Sequence, residues 1–110
     1  MTGSSSRGSS GAGGGSTSPE YCSTLSFESI VNSPDPLVVQ KIKVHDSIAV
    51  ELMQSQGTEV VALIFGGEVL GGLVHYGDRL KQCIHSGFEF QGTIRSVNQG
   101  LIKVFIEPKD

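Results

Sequence analysis

The two cysteines and three histidines are the residues of this chain best suited to nucleophilic or metal chemistry. Cys83 and His85 are two positions apart and point to different faces of a helix, and no second close Cys/His pair completes four zinc ligands. His45-Asp46 and His85 with Cys83 pair a base with a partner, but no nucleophile elbow, phosphate-binding loop or carboxylate pair accompanies them. The sequence therefore predicts a non-enzymatic protein with no metal, no cofactor and no small-molecule substrate.

The cysteine spacing also bears on the cellular compartment. Cys22 and Cys83 lie far apart in sequence, and Cys83 falls on an apolar stripe with Leu80 and Ile84, where a buried free thiol is common. This arrangement predicts free thiols rather than a disulfide framework, and so a reducing cytoplasm. No segment approaches the ~20 apolar residues of a membrane span, and no apolar run follows Arg7 to form a secretory signal. We expect a soluble, cytoplasmic protein that does not contact membranes.

A second group of residues has the chemistry of nucleic-acid contact, since positive charges bind phosphates and rings stack on bases. Its members are Lys41, Lys43, His75, Tyr76, Arg79 and Lys81. The lysines at 41 and 43 are predicted on one face of a strand, and the other four around the start of a helix. Interspersed carboxylates and a net charge of −3 exclude a general basic field. The alternative is that these are ordinary solvated charges, with the tyrosine packed on the rim of the core.

Composition divides the chain of 110 residues into three parts. Residues 1–18 are almost entirely Gly, Ser and Thr, and predict a disordered tail that is a flexible arm, a phosphorylated serine cluster or an artificial linker. Residues 19–36 predict an irregular or short-helical arm, with Phe27, Ile30 and Val31 at helical spacing. Residues 37–110 form one domain, because a chain this short builds a single modest core. A large barrel enzyme or a doubly wound sheet is excluded.

Alternating apolar residues predict most of the domain as β-structure. The expected strands are Leu37–Val44, Ser47–Met53, Val60–Phe65, Glu68–Val74, a strand through Phe88 and Ile94, and Leu101–Glu107. Gly66-Gly67 predicts a hairpin turn, and Gly71-Gly72 a bulge or a close backbone approach. Between strands, Asp78 is placed to cap a short amphipathic helix that Gly87 ends. The fold class is mainly β: a small antiparallel β-barrel of about six strands with one short helix.

The order of these elements over residues 37–108 resembles a HIRAN-type small barrel. The residues that carry the resemblance are Gly67, Gly71 or Gly72, Leu73, Leu80, Ile84, Gly87, Phe88 and Ile94. Family members occur beside helicase and nuclease domains, and some capture single-stranded DNA ends, so the resemblance implies DNA binding. The chain departs from the family between its second and third strands, where residues 53–58 replace a loop with Asn-Pro and Asp. Part of the family's ligand-facing signature is therefore missing.

Two functions follow from these patterns. The first is an interaction module that docks a protein partner or forms a homo-oligomer, because a small antiparallel sheet has edges that must be covered. In one alternative the arm 19–36 covers the exposed edge itself. The other function, implied by the resemblance, is binding of single-stranded DNA or DNA ends, with Tyr76 as the stacking surface and the four Lys and Arg residues near phosphates.

Overall fold

The computed structural model describes residues 19–109, so the predicted tail at 1–18 lies outside the described residues. The helices are α1 (Pro19–Thr24), α2 (Pro36–Val39) and α3 (Gly77–His85); the strands are β1 (Phe27–Ile30), β2 (Ser47–Ser55), β3 (Thr58–Phe65), β4 (Glu68–Leu73), β5 (Phe90–Asn98) and β6 (Leu101–Pro108). None of these helices has the length and apolar character needed to cross a membrane.

The strands form one antiparallel sheet of six in the order β1-β6-β5-β2-β3-β4. Tight turns join β2 to β3, β3 to β4 and β5 to β6. In the second of these turns Gly66 and Gly67 have φ of 57° and 84°, the left-handed values that a primed hairpin turn requires. The predicted turn and the mainly β, six-stranded antiparallel fold are confirmed.

The two edges of the sheet, β1 and β4, come together just after β1. There Asn32 and Gly72 exchange two backbone hydrogen bonds of 2.8 and 3.0 Å, and the Asp35 N–H donates to the Leu70 carbonyl oxygen at 2.7 Å. The edges do not pair along their length, so the sheet remains open and the predicted closed barrel is not confirmed. The close approach predicted at the glycine pair is confirmed: a Cβ on Gly71 would lie 2.8 Å from the carbonyl oxygen of Asn32.

The core is built from the inward-facing residues of the sheet and the buried side of α3. Leu80 and Cys83 of α3 have no exposed surface, as expected for its amphipathic pattern. Gly92 of β5 leaves room for the Ile48 and Ile106 side chains, which a Cβ would meet at 2.8–3.0 Å. The other fully buried side chains include Leu63, Leu70, Ile94, Ile102 and Val104. One core therefore spans the described residues, and α3 closes its open side.

Three predictions of local structure are wrong. Residues 37–44 do not form a strand, because the Asp35 side chain accepts the Leu37 N–H at 2.8 Å and Pro36 starts a helical turn. Residues 27–30 are a strand rather than a helical turn, with Phe27 and Ser29 buried. Pairing with β6 supplies its backbone partners, so this segment covers the β6 edge. Asp78 also does not cap α3, which begins after Tyr76 without a side-chain cap.

The prediction of free thiols is wrong as well. Cys22 and Cys83 form a disulfide between α1 and α3, with Cα atoms 5.5 Å apart. The long separation of the two cysteines in sequence gave no sign of this bond. It forms because helix α1, which the sequence predicted only as part of an irregular or short-helical arm, places Cys22 against the buried face of α3. Both cysteines are buried in the core.

Candidate interaction surface

A three-ring aromatic cluster lies just before α3. The Tyr76 ring centroid lies 4.6 Å from those of both His75 and Phe27, and the Phe27 and His75 centroids are 6.4 Å apart. Tyr76 adopts φ 63°, a left-handed conformation that non-glycine residues rarely take. Its ring packs on Phe27, and the residue as a whole is 39% exposed.

The predicted basic residues of α3 lie close to this cluster, each with a partner. The Arg79 guanidinium lies 5.5 Å from the Tyr21 ring centroid, and its Nη1 lies 3.3 Å from the Tyr21 hydroxyl oxygen. The Lys81 ammonium is 3.8 Å from the Asp78 carboxylate. Four of the six residues predicted to contact nucleic acid are therefore neighbours at the start of α3.

The remaining two lysines lie elsewhere. Lys41 forms a 2.6 Å ion pair with Glu68, the first residue of β4, whereas Tyr76 follows the far end of that strand. A strand rises ~3.3 Å per residue, so β4 separates these positions by roughly 17 Å. The backbone of Lys43 donates to the Asp46 carboxylate in the turn before β2, and its side chain is exposed. The structure does not gather the six residues into one basic track.

A different surface collects exposed apolar side chains. On the outward side of β2–β4 lies a hollow of about 380 Å³, where Ala62 and Gly72 lack bulky side chains. Met53, Val69 and Val74 surround it and are 40%, 42% and 72% exposed. Val74 also lines the adjoining gap beside the exposed Ile30 of β1. We call this surface, made by Ile30, Met53, Ala62, Val69, Gly72 and Val74, the apolar patch.

The adjoining gap, which we call the seam, separates β1 from the segment after β4. It has a volume of about 470 Å³ and is lined by Ser29–Asn32 on one side and by Val74 and His75 on the other. The Asn32–Gly72 bridge closes one end of it. The other end adjoins a smaller hollow of about 210 Å³, which is lined in part by Glu28, His75 and Lys103. Backbone, apolar and charged groups thus meet in one cleft.

The β1 edge that faces the seam carries unpaired backbone groups. In an antiparallel strand, successive residues direct their N–H and C=O to opposite sides. The Val31 N–H donates to Ile102 on β6, and the Asn32 N–H donates to Gly72 on the other side. Glu28 and Ile30 share the direction of Asn32 and so face the seam. Within residues 19–109, no backbone group pairs with them there.

A larger groove lies between β2 and β5, beyond the point where their pairing stops at Ala49 and Gln91. Its volume is about 660 Å³, and Glu51, Glu89 and Lys109 are among its lining residues. None of the large, exposed apolar side chains in the described part of the chain lines it. Volume alone would make this groove the better candidate for a docking site. Exposed apolar surface, which marks interaction sites, makes the seam the better candidate.

Sequence reasoning missed the seam because its residues carry no distinctive chemistry. Ile30 looked like one position of a helical turn, since its outward orientation on β1 breaks the expected apolar-in alternation. The glycines at 71 and 72 were the available signal, because they predicted a close backbone approach. Across 19–109, no three His, Cys, Asp or Glu side chains cluster in a way that could hold a metal ion.

Comparison with known proteins adds no relative: no family model, curated protein or solved structure matches the chain.

Proposed function

We propose that this domain is a non-enzymatic interaction module that binds an extended segment of a partner protein in the seam. The segment adds to the free edge of β1, where Glu28 and Ile30 offer backbone donors and acceptors, and its apolar side chains cover the apolar patch. The observation that carries the proposal is the coincidence of an unpaired strand edge with the main concentration of exposed apolar residues.

The shape of the seam favours a single extended segment over a second copy of this domain. The edge of β1 faces the wall formed by Val74 and His75 across the gap, rather than open solvent. In a pair of copies joined through β1, each edge would bring its own wall against the other copy. A lone strand brings no second wall with it, and it adds to the β1 edge at a spacing of about 4.8 Å.

A displayed library of random twelve-residue peptides tests the proposal. We expect enrichment of peptides with alternating apolar residues, and amide shifts at Glu28, Ile30 and Val74 when an enriched peptide is added to the labelled protein. Val74→Lys should weaken binding at least tenfold by placing a charge in the contact. Leu37→Lys is the matched control, because Leu37 is 69% exposed, against 72% for Val74, but lines neither the seam nor the hollow.

A backbone variant separates strand pairing from side-chain contact. Ile30→Pro removes an N–H that faces the seam, whereas Ser29→Pro removes one on the side that pairs with β6. We expect the proline at 30 to fold and lose peptide binding, and the proline at 29 to destabilise the sheet. Peptides whose shifts map to the β2–β5 groove, or light scattering that shows a dimer occupying the seam, would contradict the proposal.

The alternative function is binding of single-stranded DNA at the start of α3. It is supported by the partly exposed Tyr76 ring on Phe27 and by Arg79 one helical turn away. It is weakened by the ion pairs of Lys41 and Lys81 with carboxylates. A labelled single-stranded oligonucleotide at low salt decides between the two, since phosphate contacts are strongest there. Binding that Tyr76→Ala abolishes and Val74→Lys leaves intact would favour the DNA function and a HIRAN-like ligand site.

The disulfide also bears on the compartment. The cytoplasmic location predicted from the sequence assumed free thiols, whereas buried disulfides persist mainly in oxidising environments. We propose that the domain works in an oxidising compartment, where the Cys22–Cys83 disulfide forms. Alkylation of free thiols in protein taken directly from its source tests this, and full alkylation of both cysteines would restore the cytoplasmic prediction.

A further inference from the structure

The Cys22–Cys83 disulfide is the only covalent cross-link within residues 19–109, and it joins α1 to α3. Cys22 belongs to α1, and β1 begins at Phe27 after a short connection. Cys83 belongs to α3, whose side chains are anchored in the core. The bond therefore ties the segment that forms one wall of the seam to the rigid part of the fold.

The other contacts that hold this segment are non-covalent. Helix α1 has 6 residues, fewer than the ~12 that an isolated helix needs to be even marginally stable in water. Strand β1 pairs with β6 over 4 residues and has no backbone partner along the seam. Leu25, Phe27 and Val31 are buried, and the Arg79 side chain contacts the Tyr21 ring and hydroxyl group. Among these attachments the disulfide is the one that a change of redox state can remove.

We propose that the disulfide is a redox clamp that holds β1 on the sheet. Because both cysteines are buried, the bond reacts when α1 opens transiently and exposes a sulfur. A dithiol reductant then attacks that sulfur, displaces the other as a thiolate and forms a mixed disulfide, which its second thiol resolves. The protein gains two electrons and two protons and ends with two thiols, while the reductant becomes a disulfide. Residues 19–31 then separate from α3 and β6, and the seam loses one wall. Its effect on partner binding rests on the proposed function, but the release of β1 does not.

Hydrogen exchange on the full chain, without any partner, tests the clamp. The backbone groups of Phe27, Ser29 and Val31 face β6, whereas those of Glu28 and Ile30 face the seam. On reduction we expect the amides of Ser29 and Val31 to lose at least tenfold in protection, because the cross-link no longer returns the opened segment to α3. The amides of Glu28 and Ile30 should exchange rapidly in both states and serve as an internal reference.

Amides in the centre of β5 and β6 distinguish local release from general destabilisation. If the clamp acts locally, Ile94, which donates to Asp46, and Phe105, which pairs with Thr93 on β5, keep at least tenfold more protection than Val31 in the reduced protein. The Cys22→Ala/Cys83→Ala variant, examined without reductant, should show the same pattern and exclude an effect of the reagent. Unchanged protection of β1 after complete reduction, equal loss in all strands, or unfolding of the whole domain would each overturn the proposal.

The peptide test separates the two proposals. Loss of β1 protection on reduction, in a protein that binds no peptide in either state, would support the clamp and refute the binding function. Peptide binding that persists at equal affinity in the reduced protein, with β1 still protected, would support the binding function and refute the clamp. If both proposals hold, an enriched peptide should bind at least tenfold more weakly after reduction.

Discussion

Replacing Gly71 by alanine should destabilise the domain and open the junction between its two edges. A Cβ at this position would lie 2.5 Å from the Val31 Cγ1 atom, 2.8 Å from the Asn32 carbonyl oxygen and 3.3 Å from the Pro34 Cα atom. The last two belong to the backbone and cannot rotate away. The segment 31–34 must therefore move, and the Asn32–Gly72 bridge is the structure nearest to that movement.

The expected cost follows from two contributions. Inserting a methyl group into a filled site costs about 1–3 kcal/mol. Loss of the two bridge hydrogen bonds adds about 1 kcal/mol each. Alanine is favoured over glycine within a strand by roughly 0.5–1 kcal/mol, which offsets part of this. We expect the free energy of unfolding to fall by about 3 kcal/mol, and the melting temperature by roughly 12–24 °C for a domain of this size.

Gly72→Ala is the matched control, one residue along the same strand. Its Cβ would meet only the Val61 carbonyl oxygen, at 3.3 Å. We expect the free energy of unfolding to stay within about 1 kcal/mol of that of the parent protein, since the gain of a side chain in a strand and the tight contact oppose each other. Urea unfolding followed by circular dichroism, with unchanged m-values, measures both variants. Equal stabilities of the two variants would refute the reasoning, because it rests on the different surroundings of neighbouring glycines.

Three further substitutions probe other parts of the fold. Gly92→Ala should lower the free energy of unfolding by about 1–2 kcal/mol in the same urea assay, because its Cβ would meet side-chain atoms of Ile48 and Ile106 rather than backbone; a loss as large as that of Gly71→Ala would contradict this distinction. Leu80→Ala should cost about 2–5 kcal/mol, since Leu80 is fully buried between α3 and the sheet, and a melting temperature near that of the parent would show that the site collapses around the missing atoms. Glu68→Gln should change stability by less than about 1 kcal/mol, because the Lys41–Glu68 pair is exposed to solvent, and a larger effect in thermal unfolding at low salt would assign the pair a structural role.

The strands from Ser47 onward could be predicted from the sequence because the apolar alternation there coincides with pairing between neighbouring strands. Gly66-Gly67 identified its hairpin for a similar local reason, since both residues take left-handed φ values. The N-terminal third behaves differently. Strand β1 pairs with β6, so the partners that determine its conformation are distant in sequence and leave no local pattern. The β-branched residues after Pro36 favoured a strand, but the Asp35 side chain caps a short helix there instead.

For the candidate site, too, the sequence predicted the grouping of residues that are close in sequence and not of those that are distant. Tyr76 and the α3 residues were correctly placed together because they are sequence neighbours. Lys41 and Lys43 were added to the group for their charge, and the strand predicted to carry them does not form. The disulfide escaped prediction because two cysteines reveal nothing of their distance until α1 and α3 are known to touch. Whether an exposed apolar residue such as Val74 belongs to a patch is likewise a property of the assembled surface.

The pairing of β1 with β6 constrains the time at which the domain can be completed. Phe27 meets Ile106, so a nascent chain emerging from the ribosome carries β1 long before its partner strand exists. The hairpin of β2 and β3 needs only local closure and can form early, whereas β1 must wait unpaired through the synthesis of almost every other element. Until then its apolar side chains are available to chaperones and to other chains.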